Sequence, residues 1–322
     1  MKTPIILPEM PMRGQIQGPQ DIDINSIQES GQESGNHMVT LLHKNIKRKY
    51  LLYIPKSYDG TNPVPLILVL HGGAGTPTGT QRLSRMSEKA DQEGFLVIYP
   101  QSHVSRNGFR HWNAGPRPLE PYKESPADDV GFLNRILDDM EKRFNIDERR
   151  IYATGISNGG MMIYRMACEM SHRIAAVAPI ATASLMNQCR PKRPISILHI
   201  HGRKDKIIQF EGGGTHPSVP NFIKRTVPLK SAQKSIEPFV SLNKCPPAPR
   251  EIFQNAKAKC LSYGPGENKT EVVLCTVEDG GHTWPGGAHT SEKAWYLKLV
   301  GKLSQDINAS DMMWDFFKRH PL

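Results

Sequence analysis

The sequence predicts a single α/β domain: a mostly parallel central sheet, an antiparallel hairpin at its N-terminal end, and helices on both faces. Three observations carry this. Continuous apolar runs of strand length recur along the chain, segments with helical apolar spacing separate them, and no internal repeat breaks the alternation. Strands that are apolar throughout have both faces covered, and the helices between them are the crossovers that parallel pairing needs.

The elements follow in order. Residues 1–37 are polar with no period, and are read as a disordered N-terminal arm before a catalytic domain over 38–322. VTLLHKN and KRKYLLYIP form a hairpin that Pro55 ends. PLILVLHGG (65–73) is a buried strand, Leu83–Glu93 is helical, and FLVIYPQ (95–101) is the next strand. Val130–Phe144 has helical spacing, with Asp128 and Asp129 as cap candidates. Strand 151–154, helix 158–170, strand Ile174–Pro179 and strand Ile195–His201 come next. Helix Ser231–Leu242, strand Glu271–Val277 and an amphipathic helix over Asp311–Arg319 close the domain.

Composition narrows the function. The 322 residues are 38% hydrophobic with 26 prolines and 27 glycines, as in a loop-rich globular protein. No apolar run approaches a membrane span. MKTPIILPEMPMRG is broken by Pro8 and Pro11, so no signal peptide is read there. The net charge of +10 is spread, with denser patches at Lys44–Lys49, Arg190–Lys206 and Lys224–Lys234, each diluted by apolar or acidic residues. No helix-turn-helix, zinc-finger or RNA-binding signature is present, so nucleic acid is not the expected partner. Five scattered cysteines contain no CxxC pair and make no disulfide scaffold.

The chemistry concentrates in ATGISNGGMM. Gly155-Ile156-Ser157-Asn158-Gly159 lies at a strand-to-helix corner, where a G-x-S-x-G elbow presents a serine oxygen above the sheet. A serine hydroxyl needs a base, an acid to orient that base, and donors for the oxyanion. In an α/β hydrolase the acid and then the histidine follow the serine, each on a loop after a strand. Asp205 in HIHGRKDKIIQF is the acid candidate, against a surface aspartate paired with Lys204 or Lys206. His282 in VEDGGHTWPGG is the base candidate, against a histidine bound only by backbone. His71-Gly72-Gly73 ends a strand and suits an oxyanion loop, with Gly73 and Asn158 N–H as donors. Trp112 and Trp284 flank these loops, and two readings stand: stacking on substrate, or packing each loop onto the core. Asp128 and Asp129 fit a helix start and loop bracing better than acid–base work. His216 lies in a Pro- and Gly-rich insertion, 209–229, without an assigned role. The sequons at Asn268 and Asn308 are short patterns that arise by chance.

LILVLHGG, HWNAG, DDVGFL, GISNGGMM, HGRKD, GGHTWPGG and the terminal WDFFKRHPL resemble the polyhydroxybutyrate-depolymerase-like esterases. That family is similar to the feruloyl and acetylxylan esterases of the first carbohydrate-esterase family. The resemblance covers residues 38–322 and implies an α/β-hydrolase fold with Ser157, Asp205 and His282 as the triad. It implies no metal or cofactor, and an extracellular or periplasmic location. It also implies disulfides Cys168–Cys189 and Cys245–Cys260, leaving Cys275 as a buried thiol. The expected function is serine-catalysed hydrolysis of a polyhydroxybutyrate-type or plant cell-wall ester. Its rivals are a peptidase or thioesterase on the same scaffold, or a non-catalytic carbohydrate-binding relative.

Overall fold

A computed structural model describes residues 21–22, 33–104, 108–115, 127–219 and 228–322. Among these residues the sheet has eleven strands: β1 (Asp21–Ile22), β2 (Gly35–His43), β3 (Ile46–Ile54), β4 (Val64–Leu70), β5 (Leu96–Pro100), β6 (Ile146–Ile156), β7 (Ala176–Ile180), β8 (Ser196–Gly202), β9 (Arg250–Gln254), β10 (Ala258–Tyr263) and β11 (Val272–Val277). Their spatial order is β1-β2-β3-β5-β4-β6-β7-β8-β11-β10-β9. From β5 across to β11 every pairing is parallel, while β2–β3 and β3–β5 on one side and β11–β10–β9 on the other are antiparallel. This is the mostly parallel α/β sheet that the apolar strand runs predict, in the arrangement that the resemblance implies. Most of the 1–37 arm lies outside the described residues; Asp21–Ile22 pairs with Met38–Val39, and β2 starts at Gly35.

Among the described residues seven α-helices cover the sheet: α1 (Pro77–Ser84), α2 (Met86–Glu93), α3 (Asp129–Arg143), α4 (Asn158–Glu169), α5 (Ala232–Leu242), α6 (Ala294–Val300) and α7 (Ala309–Lys318). α3, α4 and α5 bury their apolar sides on one face, and α1, α2 and α7 on the other. The starts are capped as the sequence suggests. Asp128 accepts from Gly131 N–H at α3 and Ser231 from Lys234 N–H at α5, each cap being worth about 1 kcal/mol. On the α7 face Phe317 stacks on Tyr152 at 4.6 Å, and Trp314 packs against Phe95 at 4.6 Å. Burying each such ring contributes about 2 kcal/mol or more.

Three local features differ from the sequence reading. The helix expected over Leu83–Glu93 breaks at Arg85, which is left-handed at φ 54°. The carbonyls that would continue it are claimed from outside, Leu83 O by Ala288 N–H and Ser84 O by Ser310 Oγ. The β9–β10 hairpin and α6 were not expected. All five β9 residues are exposed, so no apolar period marks that strand, and α6 has only seven residues.

The disulfides require a correction. Cys168–Cys189 is present, but the second bridge is Cys260–Cys275, and Cys245 is the buried free thiol. Strand register decides this: Cys260 on β10 lies directly opposite Cys275 on β11, whereas Cys245 follows α5 beside the Thr270 carbonyl. Peptide mapping of unreduced protein should return those two linked pairs, with alkylation at Cys245 alone once the chain is unfolded. Replacing Cys260 and Cys275 together should lower stability by about 3 kcal/mol in the chain-entropy picture, read by denaturant unfolding.

Candidate active site

β6 ends in six buried residues, Ile151–Ile156, and the chain then turns sharply into α4. Ser157 sits in that turn at φ 57°, ψ −124°, a conformation unfavourable for a residue with a Cβ. Between Ile151 and Tyr164 it is the one residue that is not buried. The elbow glycines are needed for close approach rather than for flexibility. A Cβ on Gly159 would lie 2.5 Å from the Leu70 and His71 carbonyl oxygens, and one on Gly155 would lie 2.9 Å from Leu70. β4 therefore runs flush against the elbow. The loop after it comes so near that a Cβ on Gly72 would meet Ser157 Cβ at 3.3 Å. Hydrogen bonds from Ser157 N–H to Ile180 O and from Thr182 Oγ1 to Ser157 O hold the turn from the β7 side.

The oxyanion candidates flank this serine. Gly73 is exposed in the loop after β4, and Asn158 is the first residue of α4, where the helix dipole favours negative charge. The Asn158 side chain faces away, accepting from Trp112 N–H at 2.6 Å and donating to Trp112 O at 3.2 Å. Trp112 in turn donates from Nε1 to His71 O at 2.9 Å. Its loop is anchored by Asn113 N–H on Asp129, a carboxylate buried in an ion pair with Arg48.

His71 is fully buried, and its partners fix its tautomer. Ser102 N–H can only donate, so Nε2 accepts it at 3.0 Å, and Nδ1 carries the hydrogen that reaches Gly72 O at 2.6 Å. Burial pushes this imidazole down from 6.5 to about 4.

Asp205 and His282 meet on the loops after β8 and β11. Those loops are tied together by Arg203 N–H to Val277 O and Lys204 N–H to Gly280 O. Asp205 Oδ1 accepts from Ile207 and Ile208 N–H at 2.8 and 2.9 Å, and Oδ2 accepts from His282 Nδ1 at 2.7 Å. Burial of Asp205 opposes ionisation. The His282 charge and the hydrogen bonds from His201 and His282 outweigh it and hold the carboxyl well below the usual range. Lys204 pairs with Asp279 instead of Asp205. The His282 N–H donates to Val300 O, so the loop closes on the end of α6.

Ser157, Asp205 and His282 thus lie at the carboxyl ends of β6, β8 and β11, on one edge of the sheet, where open α/β sheets hold their ligands. Of the two readings left open for Trp112 and Trp284, substrate stacking or loop packing, the structure supports packing. Both rings are buried, and Trp284 Nε1 donates to Ser310 Oγ as Trp112 Nε1 does to His71 O, so each packs a loop onto the core. Of the four tryptophans only Trp295, on α6, keeps its ring in solvent, at 60% exposure. Sequence reasoning also passed over His199 and Tyr164. The signal for His199 was there: in SILHIHG it stands two positions from His201, hence on the same face of the strand.

Comparison with known proteins places these features. The chain is 31% identical over 268 residues to the putative esterase NocK of Nocardia uniformis, covering 78% of this chain and 73% of that protein. It is 26% identical over 242 residues to feruloyl esterase B of Piromyces equi, covering 73% of this chain but only 42% of that protein. No family model matches the chain. The acetyl xylan esterase of Aspergillus awamori superposes with a TM-score of 0.54 over 79% of this chain and 94% of its own, at 16% identity, which shows a shared fold.

The buried His71 makes stability depend on pH. The unfolded chain binds a proton near pH 6.5 that folded His71 refuses until about 4, so unfolding takes up a proton in that window. Stability should fall as pH drops through it, by up to about 1.4 kcal/mol per pH unit for this group. Denaturant unfolding between pH 7 and 4 measures the slope, and the His71 ring should remain neutral by NMR at pH 5.

Proposed function

The chain belongs to the α/β-hydrolase esterases, a family of carboxylic ester hydrolases, and we propose that it works through Ser157, His282 and Asp205 as a catalytic triad. Ser157 Oγ attacks the ester carbonyl while His282 Nε2 takes its proton. His282 then returns the proton to the leaving alcohol. Asp205 holds the imidazole by its Nδ1–H and stabilises the imidazolium as it forms. N–H groups of Gly73 and Asn158 receive the oxyanion, aided by the positive end of α4. Water, activated by the same histidine, hydrolyses the acyl-enzyme.

The observation that carries this reading is the 2.7 Å bond from His282 Nδ1 to the buried Asp205 carboxylate, on the sheet edge to which the elbow also delivers Ser157. That bond leaves Nε2 as the basic nitrogen, the tautomer a serine protease-like or esterase mechanism requires. For substrate class, the names of the relatives favour a feruloyl or acetyl ester of a plant cell-wall polysaccharide. Two disulfides among the described residues support a location in an oxidising compartment. No described helix is long and apolar enough to cross a membrane. Burial of Trp112 and Trp284 counts against a carbohydrate-binding role through those two rings.

A matched turnover panel tests the proposal: methyl ferulate, acetylated xylan, hydroxybutyrate oligomers and a short nitrophenyl ester, on wild type and Ser157→Ala. The variant should keep the wild-type circular dichroism and melting curve and lose about 10⁴-fold or more in kcat. A fluorophosphonate probe should label Ser157 in the wild type alone. Undiminished turnover by a folded Ser157→Ala would overturn the mechanism. Turnover of hydroxybutyrate oligomers alone would overturn the cell-wall substrate class.

A further inference from the structure

Behind the Asp205–His282 pair lies a row of buried polar side chains that the mechanism above leaves unused. Tyr164 on α4, His199 and His201 on β8, and Asp205 after it are all between 0% and 3% exposed. Tyr164 Oη is 2.5 Å from His199 Nδ1, and His199 Nε2 is 3.1 Å from His201 Nδ1. His201 Nε2 is 2.9 Å from Ile208 O and 3.3 Å from Asp205 Oδ2, the oxygen that also receives His282. The two rings stack nearly parallel, with centroids 5.3 Å apart, and Phe210 meets His201 edge-on.

The partners set the direction of every bond. Ile208 O and the Asp205 carboxylate only accept, so His201 Nε2 carries a hydrogen. In the neutral ring Nδ1 then accepts, and His199 Nε2 must donate to it. That leaves His199 Nδ1 to accept from the Tyr164 hydroxyl. Burial pushes the His199 ring down and the Tyr164 hydroxyl up, which keeps both neutral in this sequence of donors. Leucine or phenylalanine would fill these sites without the cost of burying polar atoms. The chain of donors ends at His201 Nε2, which is bonded to Ile208 O and stands 3.3 Å from one oxygen of Asp205.

We propose that Tyr164, His199 and His201 are positioning residues for the acid–base pair, a one-directional hydrogen-bond chain that fixes Asp205 and shares its Oδ2 with His282. The inference rests on the triad reading for its catalytic consequence. A second donor on Oδ2 draws charge from the carboxylate and limits how strongly Asp205 stabilises protonated His282. Removing that donor should make His282 a stronger base that holds its proton to higher pH. Of the other charged groups near the two loops, Lys206 follows Asp205 directly, and seven more are paired with one another. Lys204, Lys257 and Lys302 converge on Asp279, and Arg203 bridges Glu278 and Glu211.

The test compares wild type, His201→Leu, His201→Gln and Tyr164→Phe in the full chain. Two readouts apply: the NMR titration of the His282 ring, and the pH profile of kcat and KM on a nitrophenyl ester. His201→Leu should raise the His282 midpoint by about 0.5 pH unit and move the acid limb of kcat/KM with it. It should lower kcat about 10-fold with KM within about twofold. Glutamine carries an N–H donor to the Nε2 position and should restore most of both effects. Tyr164→Phe removes one oxygen at the far end and should shift the midpoint the same way by less. A folded His201→Leu with wild-type titration and kcat overturns the proposal. Should that variant not fold, an unchanged His282 titration in Tyr164→Phe overturns it. A midpoint that moves in protein showing no Ser157-dependent turnover would leave the positioning role standing and refute the triad reading instead.

Discussion

No side chain fits between the end of β4 and the start of α4, and the candidate site is built on that contact. Gly155 and Gly159 let the Leu70 and His71 carbonyls press against the elbow, so the loop that follows β4 passes directly over Ser157. With a Cβ at Gly159 the backbones would have to part. The elbow would then lose the loop that carries Gly73, the oxyanion donor proposed above. The strained φ of Ser157 survives because β7 also grips the turn, through Ile180 O and the Thr182 hydroxyl. Strain at Ser157 is thus supported by contact on two sides, from β4 and from β7. The glycines serve the sheet packing first and the serine through it.

The electrostatics follow a similar logic of elimination. Three histidines are buried beside the site, His71 just after β4 and His199 and His201 on β8, and each has its ring nitrogens bonded by neighbours. Burial pushes His71 and His199 down, so neither competes for a proton at neutral pH. His282 differs because its one identified ring bond is a donation from Nδ1 to an ionised carboxylate. A base for ester hydrolysis needs a free lone pair and an anion to offset the charge it acquires. Among these four rings only His282 is placed on a loop at the mouth of the sheet with such a partner.

How much of this was legible in the sequence follows from which constraints are local. That Ser157, Asp205 and His282 stand on turns and loops after apolar strands could be read because apolar strands declare themselves. The cap residues Asp128 and Ser231 could be read because capping acts over three residues. Where the reading failed, the deciding contact was distant in sequence. The Cys260–Cys275 bridge depends on the register of two strands, one of which, β10, shows little apolar pattern. The burial of Trp112 depends on Asn158 and His71, each more than forty residues away. Arg85 breaks a helix because groups near Ala288 and Ser310 take its last carbonyls.

Trp112 shows why a residue adjacent to an active-site loop is easily assigned the wrong task. Its position in sequence beside the site and its aromatic ring suit a sugar or a feruloyl group. The structure instead turns it into a joint. Its backbone N–H and C=O clasp the Asn158 side chain, and its indole N–H holds the His71 carbonyl, so one residue fastens both loops that would supply oxyanion donors. Electrostatic stabilisation of an oxyanion depends on donors that are already aimed before the charge develops. A residue held by three hydrogen bonds, one from its buried ring and two from its backbone, would supply that preorganisation, which a ring stacking on substrate in solvent could not. The buried Arg48–Asp129 pair extends the same bracing outward, since Asp129 fixes Asn113 next to it. Under the proposed mechanism the part left to Trp112 is therefore geometric: it ties the loop after β4 to the start of α4 instead of touching substrate.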